Sequence, residues 1–193
     1  MAEIYFNSDS HVEDEKIALM RGFDSVQEHK EYIADRWVSS VRKDDIVFDL
    51  GDLGIRSPAG ALELYSKLPG TKHLIWGNHD AGFPANKKAY NKHQPYLEVF
   101  QSVSFVQRLK THGVELFLSH MPYTGEHDDR DGNPMEDRYA EFRFPNLGLW
   151  NVHGHVHDAW KVRDNMINVG VEVWPDGLTS IQDILEIVKG NNN

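Results

Sequence analysis

Five times in this chain a short apolar run, rich in branched and aromatic residues, ends abruptly in Asp, Asn or His. Ile4 to Asn7 runs into Ser8-Asp9-Ser10-His11. Asp45 to Leu50 runs into Gly51-Asp52, and His73 to Trp76 into Gly77-Asn78-His79-Asp80. Val114 to Leu118 runs into Ser119-His120, and Leu149 to Val152 into His153-Gly154-His155-Val156-His157. Runs of this kind read as buried strands, and residues 166–173 are a sixth candidate. Helical patterns separate several of them. Residues 25–42 carry Val26, Ile33, Trp37, Val38 and Val41 behind Asp24 or Ser25 as cap. Residues 59–67 form a second pattern, residues 86–99 a third that Pro95 interrupts, and Ser180 to Asp183 has capping-box spacing before a last helix to about Lys189. Strands alternating with helices predict an α/β fold, whose ligands bind beyond the carboxyl ends of the strands. Every Asp, Asn and His that ends one of the five runs falls there.

No repeat or linker divides the chain, so one domain over residues 1–190 is expected. There is no cysteine among the 193 residues, which excludes disulfides, thiolate metal sites and cysteine nucleophiles. No apolar run approaches the roughly 20 residues of a membrane span, and the N-terminus lacks the basic and apolar regions of a signal peptide. A cytoplasmic protein is expected. The net charge of −10 argues against strong nucleic-acid binding, which needs basic surface, but admits a small phosphorylated substrate if bound cations supply positive charge.

Eleven histidines stand out in this composition. Those at strand ends, His11, His79, His120, His155 and His157, join Asp9, Asp52 and Asn78 in one candidate constellation. Imidazole and carboxylate together suit first-row cations such as manganese, iron, nickel and zinc. The ligands exceed what one ion needs and suffice for two ions sharing a carboxylate. Asp9 and His11, like His155 and His157, are two apart, so extended backbone would project each pair to one face. Gly51, Gly77 and Gly154 each precede a presumed ligand, where glycine permits a sharp turn and close approach. His29, His73, His93, His112 and His127 read as ordinary structural residues, and His153 as a group behind the ligands.

Asp9-x-His11, Gly51-Asp52, Gly77-Asn78-His79-Asp80, His120 and Gly154-His155-x-His157 resemble, in order and without a gap, the five motifs of the calcineurin-like metallophosphoesterase superfamily. His120-Met121-Pro122-Tyr123 and Asn168-Val169-Gly170-Val171 resemble its small bacterial and phage members. The resemblance implies a four-layer α-β-β-α sandwich with two mixed sheets. It implies one metal on Asp9, His11, Asp52 and His157, and another on Asp52, Asn78, His120 and His155, with Asp52 bridging. His79 is then no ligand but the catalytic acid beside the leaving group. The implied reaction is hydrolysis of a small phosphodiester, such as a 2′,3′-cyclic nucleotide, by metal-activated hydroxide attack on phosphorus. A phosphomonoesterase and a non-catalytic protein-binding scaffold are the alternatives.

Two departures narrow the class. Phosphoprotein phosphatases carry Gly-Asp-x-x-Asp-Arg-Gly, whereas here Ile55 stands three residues after Asp52, and the third motif ends in Asp80 rather than Glu. What orients His79 is left open by these departures, Asp80 being one candidate. Residues 123–146 fit neither helix nor strand and connect two ligand-bearing runs. They read either as a solvated connector, whose arginines pair with neighbouring carboxylates, or as a lid over the metals, with Tyr123, Arg138, Tyr139 or Arg143 reaching the substrate.

Overall fold

The computed structural model describes residues 2–55, 58–125 and 139–190. Strands β1 (Ile4–Asn7), β2 (Ile46–Asp49), β3 (Thr71–Ile75) and β4 (Ser102–Ser104) run parallel in one five-stranded sheet. The short β10 (Thr179–Ser180) adds antiparallel to β1, giving the order β10-β1-β2-β3-β4. The second sheet has the order β5-β6-β7-β9-β8. Its centre is parallel: β6 (Val114–Ser119), β7 (Trp150–His153) and β9 (Met166–Asn168). Its edges, β5 (Val106–Thr111) and β8 (Val162–Arg163), are antiparallel. The fold is thus mixed α/β with two mixed five-stranded sheets.

The two-residue period of the strands divides their side chains between cores. Ile4, Phe6, Ile46, Phe48 and Ile75 meet Leu116, Leu118, Val152 and Ile167 of the second sheet in a shared core. Tyr5, Val47 and Leu74 face the opposite way, against helices α2 (Val26–Ser40) and α3 (Ala59–Lys67). Helix α2 begins where the Ser25 hydroxyl accepts from the Glu28 amide, and it buries His29, Ile33, Arg36 and Trp37. Burial of Ile33 and Trp37 contributes on the order of 1.5–3 kcal/mol each. Val38, expected on that face, is exposed instead, because five residues after Ile33 the helix has turned away from the core.

Helix α5 (Ile181–Gly190) opens with the expected reciprocal bonds between Ser180 and Asp183. It sends Ile181, Ile184, Leu185 and Val188 into the core shared by the sheets. Phe117, Tyr123 and Met166, with Phe144 and Trp160, form a third cluster on the far side of the second sheet. None of the residues in that cluster comes from an α-helix. A short α1 (Glu15–Met20), capped by Asp14, follows β1. The third helical pattern shrinks to α4 (Gln94–Leu97), with Pro95 in its first turn. No helix among the described residues is long and apolar enough to cross a membrane.

Candidate metal centre

Parallel pairing sets Asn7 beside Asp49, so the segments leaving β1 and β2 emerge together. They stay joined: the Asp9 amide donates to Gly51 O and the His11 amide to Asp52 O, each at 2.9 Å. The end of β7 arrives from the second sheet, where both Asp9 carboxylate oxygens accept from the His155 amide. Gly154 permits this approach, since a Cβ there would stand 1.9 Å from Ser8 Oγ. Gly51, at φ +95°, brings the second motif against the third, where a Cβ would lie 2.2 Å from the Gly77 nitrogen.

The spacing argument for the two Asp/His pairs needs correction. Asp9, His11, Asp52, His155 and His157 all have positive φ, between 46° and 72°, and none of these pairs is extended. Left-handed backbone is uncommon for residues with a Cβ and costs free energy that surrounding structure must offset. Here the motif-to-motif hydrogen bonds hold it, and the side chains converge through tight turns rather than along one strand face.

Asp9, His11 and His157 offer ligand atoms within 4.8 Å of one another, and so do Asp9, Asp52 and His120. Asp52 lies between the other groups. Its Oδ1 accepts from the His79 amide at 2.8 Å, while Oδ2 faces the Nε2 atoms of His120, His11 and His79 at 3.4, 3.8 and 3.9 Å. Asn78 Oδ1 lies 3.0 Å from His120 Nε2 and 2.8 Å from His155 Nδ1. The His11 and His157 rings stack at 5.1 Å. The structure therefore brings together all seven residues expected to hold metal, with His79 at the rim and 42% of its side chain exposed.

The chemistry of these atoms fits a cation. His120 Nδ1 donates to Leu50 O at 2.7 Å, so a neutral ring presents a bare lone pair at Nε2. That lone pair faces Asp52 Oδ2 and Asn78 Oδ1, which are also acceptors, so a proton or a metal ion must lie between them. Without metal the proton wins: burial opposes it, but the Asp52 and Asp9 carboxylates push His120 up to about 9. His11 is only 1% exposed, and neither of its ring nitrogens has a hydrogen-bond partner. Burial lowers it to about 3, so it stays neutral with a lone pair available. Burial would raise Asp52, but the protonated His120 facing its Oδ2 holds it well below the usual carboxylate range.

Behind these groups lie residues the motifs do not mark. His157 Nδ1 donates to Glu172 Oε1 at 2.8 Å. Arg21 donates twice to the same oxygen and also to the carbonyls of Asp9 and Ser10. A carboxylate on the far nitrogen of an imidazole fixes its tautomer and aims the other nitrogen, a recurrent device behind metal-binding histidines. Asp80 does not orient His79 through its side chain, as the sequence suggested. Its carboxylate accepts from the amides of Gly77, Asp52 and Leu53, so it shapes the backbone that carries Asp52. His153 donates to Gly154 O and packs on Trp160.

Of the residues proposed to reach substrate, Tyr139 and Arg143 lie near His155, while Tyr123 does not. Tyr139 packs edge-on against His155 at 5.7 Å. Arg143 donates to Pro122 O, and Tyr123 stacks on Phe117 in the outer apolar cluster, away from the expected role. Arg138 lies outside the described residues, as does most of the segment expected to cover the site.

Fold and site together define a two-sheet α/β protein with a buried carboxylate–imidazole cluster suited to metal ions. No family model matches the chain. It is 34% identical to the Gene 66 protein of Mycobacterium phage L5, over 97% of this chain and 95% of that protein. It is 31% identical to the Gene 66 protein of Mycobacterium phage D29, over 97% and 96% respectively. The chain belongs to the family of these phage Gene 66 proteins. Among solved structures, the protein of unknown function AQ665 from Aquifex aeolicus superposes with a TM-score of 0.72. That likeness covers 97% of this chain and all of the other at 22% identity, and it establishes the fold alone.

Proposed function

We propose that this protein is a dinuclear metal-dependent phosphoesterase of the calcineurin-like superfamily that hydrolyses small phosphodiesters, 2′,3′-cyclic nucleotides among them. The observation that carries this reading is the crowding of three imidazoles around Asp52 Oδ2, with the His120 lone pair aimed into the same space. One ion would be held by Asp9, His11, Asp52 and His157, the other by Asp52, Asn78, His120 and His155. Manganese or iron suits this set best, with nickel or zinc as alternatives. When bound, two such ions acidify a water and offset charge on the phosphoryl oxygens. In this reading residues 1–190 act as one domain, in the cytoplasm and within the four-layer architecture of that superfamily.

The chain's own part in the reaction centres on His79. Its amide donates to Asp52, which ties its backbone to the centre, while its ring stands edge-on to His11 at 5.4 Å and reaches solvent. From there Nε2 would give its proton to the alcohol oxygen as the P–O bond breaks, so that a neutral alcohol departs. Asp52 holds the shared position, and Glu172 and Arg21 keep His157 aimed. The test is turnover of bis-p-nitrophenyl phosphate by chelator-stripped protein before and after adding Mn²⁺, with Asp52→Asn in parallel. The reading expects turnover that appears with Mn²⁺ and is lost in the variant. Absence of turnover with every divalent ion would contradict it.

A further inference from the structure

A cleft of about 280 Å³ opens beside His79. His79 belongs both to its lining and to the shell around Asp52 Oδ2, so the cleft adjoins the candidate metal centre on the side where His79 meets a leaving group. Lys87, Lys92, Asn86 and Tyr96 also line it. Its volume lies below the roughly 300–1,000 Å³ of sites for drug-sized ligands, so it suits a fragment of a substrate.

The charge of this region runs against that of the chain. Acidic residues outnumber basic ones by 30 to 20, yet no carboxylate occurs between Asp80 and Glu98, while Lys87, Lys88 and Lys92 do. No carboxylate among the described residues forms an ion pair with Lys87 or Lys92, whereas Lys30 pairs with Glu13 and Lys67 with Glu63. The backbone carrying the lysines is built in linked three-residue steps. The amides of Asp80, Phe83, Asn86, Ala89 and Lys92 donate in turn to the carbonyls of Gly77, Asp80, Phe83, Asn86 and Ala89. Two side-chain bonds brace it: Asn86 Nδ2 donates to Asp80 O, and Tyr96 OH accepts from the Ala81 amide. The lysine stems thus rise from a backbone continuous with His79.

Resting on the phosphoesterase reading, we propose that this cleft is a second anion subsite that binds a phosphate carried by the leaving group. The preferred substrates are then phosphodiesters whose departing alcohol is itself phosphorylated. His79 would protonate the ester oxygen while Lys87 and Lys92 hold the distal phosphate as point charges.

The test uses two methyl aryl phosphodiesters with the Mn²⁺-loaded protein. One carries a para-phosphonomethyl group on the departing phenol and the other a para-ethyl group. At least a tenfold higher kcat/KM for the phosphonate is expected, shrinking toward equality in 0.5 M salt and in the double variant Lys87→Gln/Lys92→Gln. Equal kcat/KM for the two esters overturns the subsite and leaves the phosphoesterase reading intact. Hydrolysis of neither speaks against the phosphoesterase reading, and the cleft is then judged on metal-free protein. Inorganic pyrophosphate titrated into that protein should shift the backbone amide resonances of residues 86–92, and no shift there overturns the subsite.

Discussion

Glu172 Oε1 accepts the Nδ1 proton of His157 at 2.8 Å, which leaves Nε2 of that ring free to bind metal. Burial would raise Glu172, but the bonds from His157 and Arg21 hold its carboxyl down at about 2, so it is ionised at any working pH. Replacing Glu172 by Gln keeps the shape and removes the charge that Arg21 and His157 share. Affinity for the ion nearest His157 should fall about 10- to 100-fold. Titration of stripped protein with Mn²⁺ by calorimetry, resolving two classes of site, measures this. Unchanged affinity at both would show that Glu172 has no part in the centre.

His79→Ala separates acid catalysis from positioning. General acids contribute typically 10²–10⁴-fold. An alkyl leaving group, which cannot depart unprotonated, should lose that much, while p-nitrophenolate should lose little. Rates compared across leaving groups of graded acidity supply the check, and equal losses across the series would assign His79 to substrate positioning.

Proton and metal compete for the same lone pairs, which gives the metal-free protein a pH signature. Carboxylates hold His120 and His157 up at about 9 against the pull of burial. A histidine raised above its unfolded value of about 6.5 contributes stability that is complete below that value and lost as pH rises through the folded one. Burial also raises Asp49 to about 7 and Asp80 to about 8, and raised carboxyls lose stability over the upper part of their range in the same direction. The melting temperature of stripped protein should therefore fall between pH 6.5 and 9, and bound Mn²⁺ should flatten the decline. Thermal melts across that range would contradict this by showing a flat or rising profile without metal.

The candidate ligand residues were legible because each follows an apolar run, and parallel pairing carries such run-ends to one edge. The pairing of Asn7 with Asp49 is the physical link between those facts. Their backbone was not legible: Asp and His do not advertise positive φ as Gly does, so the Asp9–His11 and His155–His157 spacings suggested extended strands. Glu172 and Arg21 escaped notice because they lie 151 residues apart, and a carboxylate on a distant turn carries no local pattern. Helix α1 has six residues, and strands β8 and β10 two each, too short for periodicity to register. In residues 86–93 a polar stretch before Pro95 looked like helix, yet it forms the linked turns that bear Lys87 and Lys92.

In the proposed centre Asp52 is shared by two metal ions. Anomalous X-ray diffraction from crystals of Mn²⁺-reconstituted protein, recorded at the manganese edge, tests it most directly. Two peaks are expected roughly 3.5–4 Å apart, both within bonding distance of the Asp52 carboxylate, one beside His11 and His157 and the other beside Asn78, His120 and His155. A single peak, or peaks that Asp52 does not contact, would contradict it.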